Sequence, residues 1–238
     1  MKISAHELDV RTINEKIKLA PDDVSIDECC GQRFIAAGLK DKTVTINGTP
    51  GNALGAYLDG AVITVNGNAQ DAVGDTMNDG EIIIHGNAGD ALGYAMRGGK
   101  IYVEGNSGYR TGIHMKEYCE KKPVIVIGGL AGSFLGEYLA GGLIIVLGID
   151  SDTVPVGNFT ATGMHGGSIF IRTKTQPEGL PEQVSVTPAS KDNLADIEPY
   201  IYEFARNFGL DAKQLMLDNY YLLRPNTATP YKQLYTAN

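Results

Sequence analysis

Aliphatic residues recur along this chain in two columns at a step of nineteen residues. One column is Val44, Ile63, Ile82, Ile101, Ile125 and Ile144; the other is Ile46, Val65, Ile84, Val103, Ile127 and Val146. Within each segment the two positions are two residues apart, the period of a half-buried strand, and most are β-branched. A register glycine follows each strand: Gly48, Gly67, Gly86, Gly105, Gly129 and Gly148. Seven residues after the first five comes another, at Gly55, Gly74, Gly93, Gly112 and Gly136. A five-residue insertion separates Gly105 from Gly129, and Gly31 and Gly38 mark an earlier, shorter turn. Two more columns read as inward: Leu54, Val73, Leu92, Thr111 and Leu135, and Leu58, Met77, Met96, Met115 and Leu139.

A fixed period of this length belongs to stacked architectures, in which no repeat buries its own apolar face. The expected fold is all-β: a right-handed parallel β-helix of about seven coils rising about 4.8 Å per coil, with short flanking α-helices at the N- and C-termini. A propeller needs about 40 residues per blade, more than this repeat supplies. The glycines are expected to provide positive φ at the corners.

The expected organisation is an N-terminal helical cap over 1–30, the β-helix over 31–173, and a linker with a helical tail over 174–238. In the cap, Leu8, Ile13, Ile17 and Leu19 predict an amphipathic helix over 8–20, with a Thr12-x-x-Glu15 capping box and Pro21 as a stop. Residues 174–192 read as a linker. A helix is predicted from near Asp196, with Pro199 in its first turn, an apolar stripe of Ile197, Ile201, Phe204 and Phe208, and Gly209 at its end. A second starts at Asp211, with Gln214 three later. The stretch from Tyr220 to Asn238 shows no period.

The residue three before each register glycine points outward: Thr45, Thr64, Ile83, Tyr102, Val126 and Ile145, with Phe170 extending the column. It begins polar and turns apolar, whereas a solvated sheet face stays polar. Ile83, Tyr102, Val126, Ile145 and Phe170 are therefore the candidate interface. Either the C-terminal helix covers them, favoured by its high effective concentration, or a second subunit does.

Composition narrows the partners. The 238 residues carry a net charge of −8, which argues against nucleic acid and an anionic membrane surface. The first ten residues lack the charge and apolar run of a signal peptide, and no apolar run reaches the length of a membrane span. Three cysteines, Cys29, Cys30 and Cys119, make no disulfide framework; reduced thiols and a cytoplasmic protein are expected.

Candidate chemistry is sparse. His114, Glu117 and Cys119 lie close together at the insertion, but H-x4-C is not a zinc signature and the loop reading is favoured. Asp71, Asp75, Asp79 and Asp90 invite comparison with polysaccharide-cleaving sites, yet they sit beside Gly and Asn, where Asp is a turn former. Asn68, Asn87 and Asn106 each follow a register glycine and predict a stacked amide ladder. Arg97 and Arg110 read as solvated or partner-facing. The glycines lead into strands rather than helices, against a phosphate-binding loop. No catalytic, cofactor or metal residue is assigned.

The runs GLAGSFLGEYLAGGLIIVLG from Gly129 to Gly148 and GNFTATGMHGGSIFIR ending at Arg172 resemble the GXGXG domain of the glutamate synthase large subunit. YRTGIHMKEY from Tyr109, CGQRFIAAGL from Cys30 and FGLDAKQLM from Phe208 are similar to its stand-alone form, so the resemblance covers roughly 8–238. The repeats are shared with one of the subunits of formylmethanofuran dehydrogenase. The resemblance implies a non-catalytic scaffold subunit of a glutamate synthase-type oxidoreductase. Its expected partners are glutamine amidotransferase and FMN-binding synthase subunits, which would carry the FMN and iron–sulfur cluster; a homo-oligomer is a further expectation. The alternatives are a scaffold of a formylmethanofuran dehydrogenase-type complex or a polysaccharide-acting β-helix enzyme.

Overall fold

The computed structural model describes residues 1–6, 8–21 and 23–226. Nine strands follow one another in parallel: β1 (Lys2–Ser4), β2 (Val24–Cys30), β3 (Thr43–Thr49), β4 (Asp59–Asn66), β5 (Asp79–Ile84), β6 (Lys100–Val103), β7 (Val124–Ile127), β8 (Ala140–Val146) and β9 (Gly166–Arg172). Each pairs with its neighbour in sequence, so β2 to β9 form eight rungs of a parallel β-solenoid. The register matches the repeat: Val44 lies beside Ile63, then Ile82, Ile101, Ile125 and Ile144, and the column ends at Ile169. Both aliphatic columns are fully buried, as are Leu54, Val73, Leu58, Met77, Met96, Met115, Leu135 and Leu139. Thr111 is fully buried among them; its hydroxyl pairs with Ser107 at 3.0 Å, which removes the penalty of an unpaired polar group.

Two kinds of glycine close the coils, and only one matches the expectation of positive φ. Gly93 has φ +66°, and a Cβ there would lie 2.5 Å from Ile125 Cδ1 of a neighbouring coil. Gly105 is different: its φ is not in the left-handed region, but a Cβ would strike Asn87 Oδ1 at 2.4 Å and the Gly86 carbonyl oxygen at 2.9 Å. Close approach between coils is what demands glycine there.

The first helix, α1 (Val10–Leu19), is capped by Asp9, whose carboxylate accepts from Thr12 N at 2.9 Å. The expected Thr12 cap is replaced by this Asp three residues earlier, and Glu15 pairs with Arg11. Ile13 and Ile17 are fully buried against the first coil. Lys42 Nζ donates to the carbonyls of Ile17, Lys18 and Ala20, answering the negative end of the helix. Strands β1 and β2, within the expected helical cap, continue the sheet instead.

At the other end the chain reverses. The helix α2 (Lys191–Phe208) starts five residues before Asp196, because Ser190 and Asn193 form a capping box. Pro199 consequently lies inside the helix, not in its first turn. Gly209 ends it at φ +70°, and the short α3 (Ala212–Met216) opens on Asp211. Two further strands, β10 (Val184–Pro188) and β11 (Tyr220–Pro225), complete the sheet: β11 pairs antiparallel with β9, and β10 with β11. Both fall in stretches for which the sequence predicts no regular structure; β11 occupies the pairing edge that the last coil would otherwise expose. The remainder of the periodless stretch, 227–238, lies outside the described residues.

Candidate functional site

The outward column forms a second core outside the solenoid. Tyr102, Val126, Ile145 and Phe170 are buried, and Ile83 is half-buried. They pack with Ile197, Ile201 and Phe204 of α2 and with Tyr220 and Leu222 of β11. The 18 residues of α2 make a rod of about 27 Å, enough to cross the five strands β5 to β9. Phe204 packs so closely that a Cβ on Gly128 would lie 2.9 Å from its ring. The candidate interface residues are therefore covered by this chain's own helix, leaving none of the four buried ones open to a second subunit. Thr45 and Thr64, on the strands before β5, stay partly exposed.

A charged network closes the rim of this second core. Lys100 Nζ lies 2.6 Å from Glu203 Oε2 and 3.5 Å from Glu81 Oε2, and the Tyr102 hydroxyl donates to Glu203 at 2.6 Å. Asn207 donates to Glu81 at 3.5 Å. Burial, reinforced by the negative charge of Glu203, raises the Glu81 pKa. Burial also opposes ionisation of Glu203, but hydrogen bonds from Lys100 and Tyr102 outweigh it and hold that pKa low. Burial and the bond to Glu203 keep the Tyr102 phenol protonated. An adjacent cavity of about 470 Å³ is lined by Lys100, Lys121, Asp79, Pro199, Tyr200 and Glu203. Lys121 is held by Asp79 at 2.8 Å. Two of its cations are thus already matched by carboxylates.

The other sequence candidates resolve into structural roles. His114 stacks on Tyr138, ring centroids 5.1 Å apart, with Tyr94 edge-on at 5.9 Å. Glu117 accepts from Gly142 N at 3.1 Å, and the insertion closes through mutual backbone bonds between Tyr118 and Lys121. Among the described residues no group of three or more His, Cys, Asp or Glu converges on a metal position. Burial pushes the Cys29 thiol up to about 11, far from a ligating thiolate, while Cys30 and Cys119 are exposed.

Asn68, Asn87 and Asn106 do form a ladder, but its rungs join side chain to backbone. Asn87 N donates to Asn68 Oδ1 at 2.8 Å, Asn106 N to Asn87 Oδ1 at 2.8 Å and Leu130 N to Asn106 Oδ1 at 2.7 Å. Asp71 and Asp90 build a parallel one, accepting from Asp90 N and Tyr109 N at 3.0 and 2.8 Å. These carboxylates follow the repeat of the backbone and do not converge as an acid–base pair. A side-chain amide ladder exists elsewhere, from Asn66 to Asn47 to Asp27. The nineteen-residue spacing of its two asparagines is the signal in the sequence that could have revealed it.

On the turn face, Arg110 lies over the Phe134 ring at 5.0 Å and pairs with Glu137 at 3.1 Å, and Phe134 stacks on Phe159 at 5.0 Å. Arg97 is exposed and makes no ion pair among the described residues.

Glycines fixed by inter-coil contact on a parallel solenoid agree with a family comparison: the GXGXG motif model matches residues 13–229. The chain belongs to the GXGXG family. An uncharacterized protein of Methanocaldococcus jannaschii is 45% identical over 249 aligned positions, covering 98% of this chain and 95% of that protein. Among solved structures, a chain in the crystal structure of the formyltransferase/hydrolase complex of Methylorubrum extorquens with methylofuran superposes with a TM-score of 0.65. The match is 22% identical and covers 82% of this chain and 69% of that one, a likeness of fold. In this GXGXG protein no helix among the described residues is long and apolar enough to cross a membrane.

Proposed function

We propose that this GXGXG protein is a non-catalytic scaffold subunit, assembling with glutamine amidotransferase and FMN-binding glutamate synthase subunits in glutamate biosynthesis. One observation carries the scaffold reading. The polar side chains that the repeat brings into columns are used to build the columns, as the Asn68–Asn87–Asn106 and Asp71–Asp90 ladders illustrate. What such a stack presents is extended surface, the feature a scaffold needs. The glutamate synthase assignment rests on the sequence resemblance to the stand-alone type, with the FMN and iron–sulfur cluster on the partner subunits.

A second reading is a scaffold in a formylmethanofuran dehydrogenase-type complex. The fold likeness to a chain of the formyltransferase/hydrolase complex favours it. Affinity purification from the native organism, with identification of co-purifying subunits, separates the two. Amidotransferase and flavoprotein chains are expected; subunits of a formyl-transferring complex would overturn the glutamate synthase reading. The isolated chain is expected to hydrolyse no glutamine and to retain no stoichiometric FMN, and either activity would overturn the scaffold role.

A further inference from the structure

The chain itself shows how a guanidinium is held on this fold. Arg110 lies over the Phe134 ring at 5.0 Å, and its Nε donates to Glu137 at 3.1 Å. The ring face attracts the cation, and the carboxylate binds its edge through a charge-assisted hydrogen bond. A planar, weakly hydrated guanidinium suits this arrangement better than an ammonium does.

One coil later the ring recurs. Phe159 stacks on Phe134 with centroids 5.0 Å apart and planes 20° from parallel, so one of its faces is covered and the other turns away from Phe134. The side chain is nevertheless 61% exposed. A cavity of about 270 Å³ lies against it, between the turn over 154–160 and the segment 177–180. Phe134 does not line this cavity, which puts it on the free side of Phe159. Val154, Val156, Pro177 and Leu180 give it apolar walls. Glu178 is the one charged side chain among its lining residues; it is exposed and enters no ion pair among the described residues. Ring and carboxylate are thus repeated here without a cation from this chain.

Charge and size together name the occupant. A ring face and one carboxylate, with no basic group in the lining, select a cation. Apolar walls match the methylene stem of an arginine, whose charged head can stay at the open rim. Small-molecule sites usually span about 300–1,000 Å³, so a cavity of this size takes a single side chain rather than a cofactor. Arginine is also among the residues that anchor protein interfaces, and the net charge of −8 favours a basic partner segment.

We propose that the cavity between Phe159 and Glu178 receives an arginine side chain of a partner protein. This anchor rests on the scaffold reading for the partner's existence, whereas a peptide titration of the full chain needs no subunit, so the two fail separately. The tripeptide acetyl-Gly-Arg-Gly-amide is titrated in while the methyl resonances of Val154, Val156 and Leu180 are followed by NMR. Saturable shifts at millimolar peptide are expected, the strength of one partly exposed cation contact. Citrulline in place of arginine keeps the shape, removes the charge and should bind about tenfold more weakly. Glu178→Gln and Phe159→Leu, each with an unchanged circular dichroism spectrum, should each weaken the arginine peptide about threefold. The absence of a saturable shift overturns the proposal. So does a citrulline or lysine peptide that binds as well as the arginine one, or binding that neither substitution weakens. Free arginine binding more tightly than the peptide would mark a small-molecule site and overturns the partner anchor as well.

Discussion

The hydroxyl of Tyr102, in the outward column, donates to Glu203 on α2 at 2.6 Å. This bond ties the solenoid to its covering helix at the rim of the second core. Its acceptor is also the carboxylate that holds Lys100. Tyr102→Phe removes the donor and keeps the buried ring. A hydrogen bond to a charged group contributes about 1.5–3 kcal/mol, so the thermal midpoint should fall by several degrees. An unchanged midpoint would mean that Lys100 and Arg206 satisfy Glu203 without the phenol.

Removal of everything after Arg172 deletes α2 and β11 together. Val126, Ile145 and Phe170 would then face solvent, a patch larger than a monomer normally tolerates. The truncated chain is expected to bind a hydrophobic dye strongly or to aggregate. A monodisperse product without dye binding would show that the second core does not depend on these elements.

The pH response follows from two opposed carboxylates. Glu203 has a folded pKa below its unfolded value, so its contribution is present above the unfolded value and is lost as pH falls through the folded one. Glu81 has a folded pKa above its unfolded value; its contribution is present below the unfolded value and is lost as pH rises through the folded one. Glu203→Gln should therefore destabilise at neutral pH and matter little in strong acid. Glu81→Gln should flatten the loss on the alkaline side of its own titration. Denaturant midpoints of both variants between acid and neutral pH would show the opposite slopes.

Gly93 and Ile125 form a tighter test of the inter-coil fit. Gly93→Ala places a methyl 2.5 Å from Ile125 Cδ1 at φ +66°, so overpacking and backbone strain add. A loss of about 1–3 kcal/mol is expected. Ile125→Val removes the offending Cδ1 and should recover part of that loss in the double variant, an interaction a thermodynamic cycle measures. Additive losses would indicate that backbone strain alone decides the position.

Asn87→Ala deletes one ladder rung and leaves Asn106 N without its acceptor. A cost of about 1 kcal/mol is expected. Hydrogen exchange should accelerate at the Asn106 amide first, while the amides of β3 remain protected. Uniform acceleration along the stack would mean the rung is not local.

The repeat alone is enough to read the solenoid, because each coil presents the same short strand in the same register and local alternation decides which side is inward. Val44, Ile63, Ile82 and Ile101 stack by spacing alone. Periodicity also exposes the change from polar to apolar in the outward column at Ile83, and the stripe on α2 that fits it. What lacks a period is not legible. Strands β1, β2, β10 and β11 are strands because an existing sheet edge supplies their hydrogen bonds, not because their own residues demand it. The start of α2 lies at Ser190 for a related reason: the Ser190–Asn193 cap and the buried face of the helix together outweigh Pro199 within it. The role of Asn68, Asn87 and Asp71 is equally hidden, since spacing places side chains in a column but cannot say whether they meet each other or the backbone above. Tertiary structure decided those contacts, because a hydrogen bond is settled by distance and direction between coils, and a hydrophobic column by its period alone.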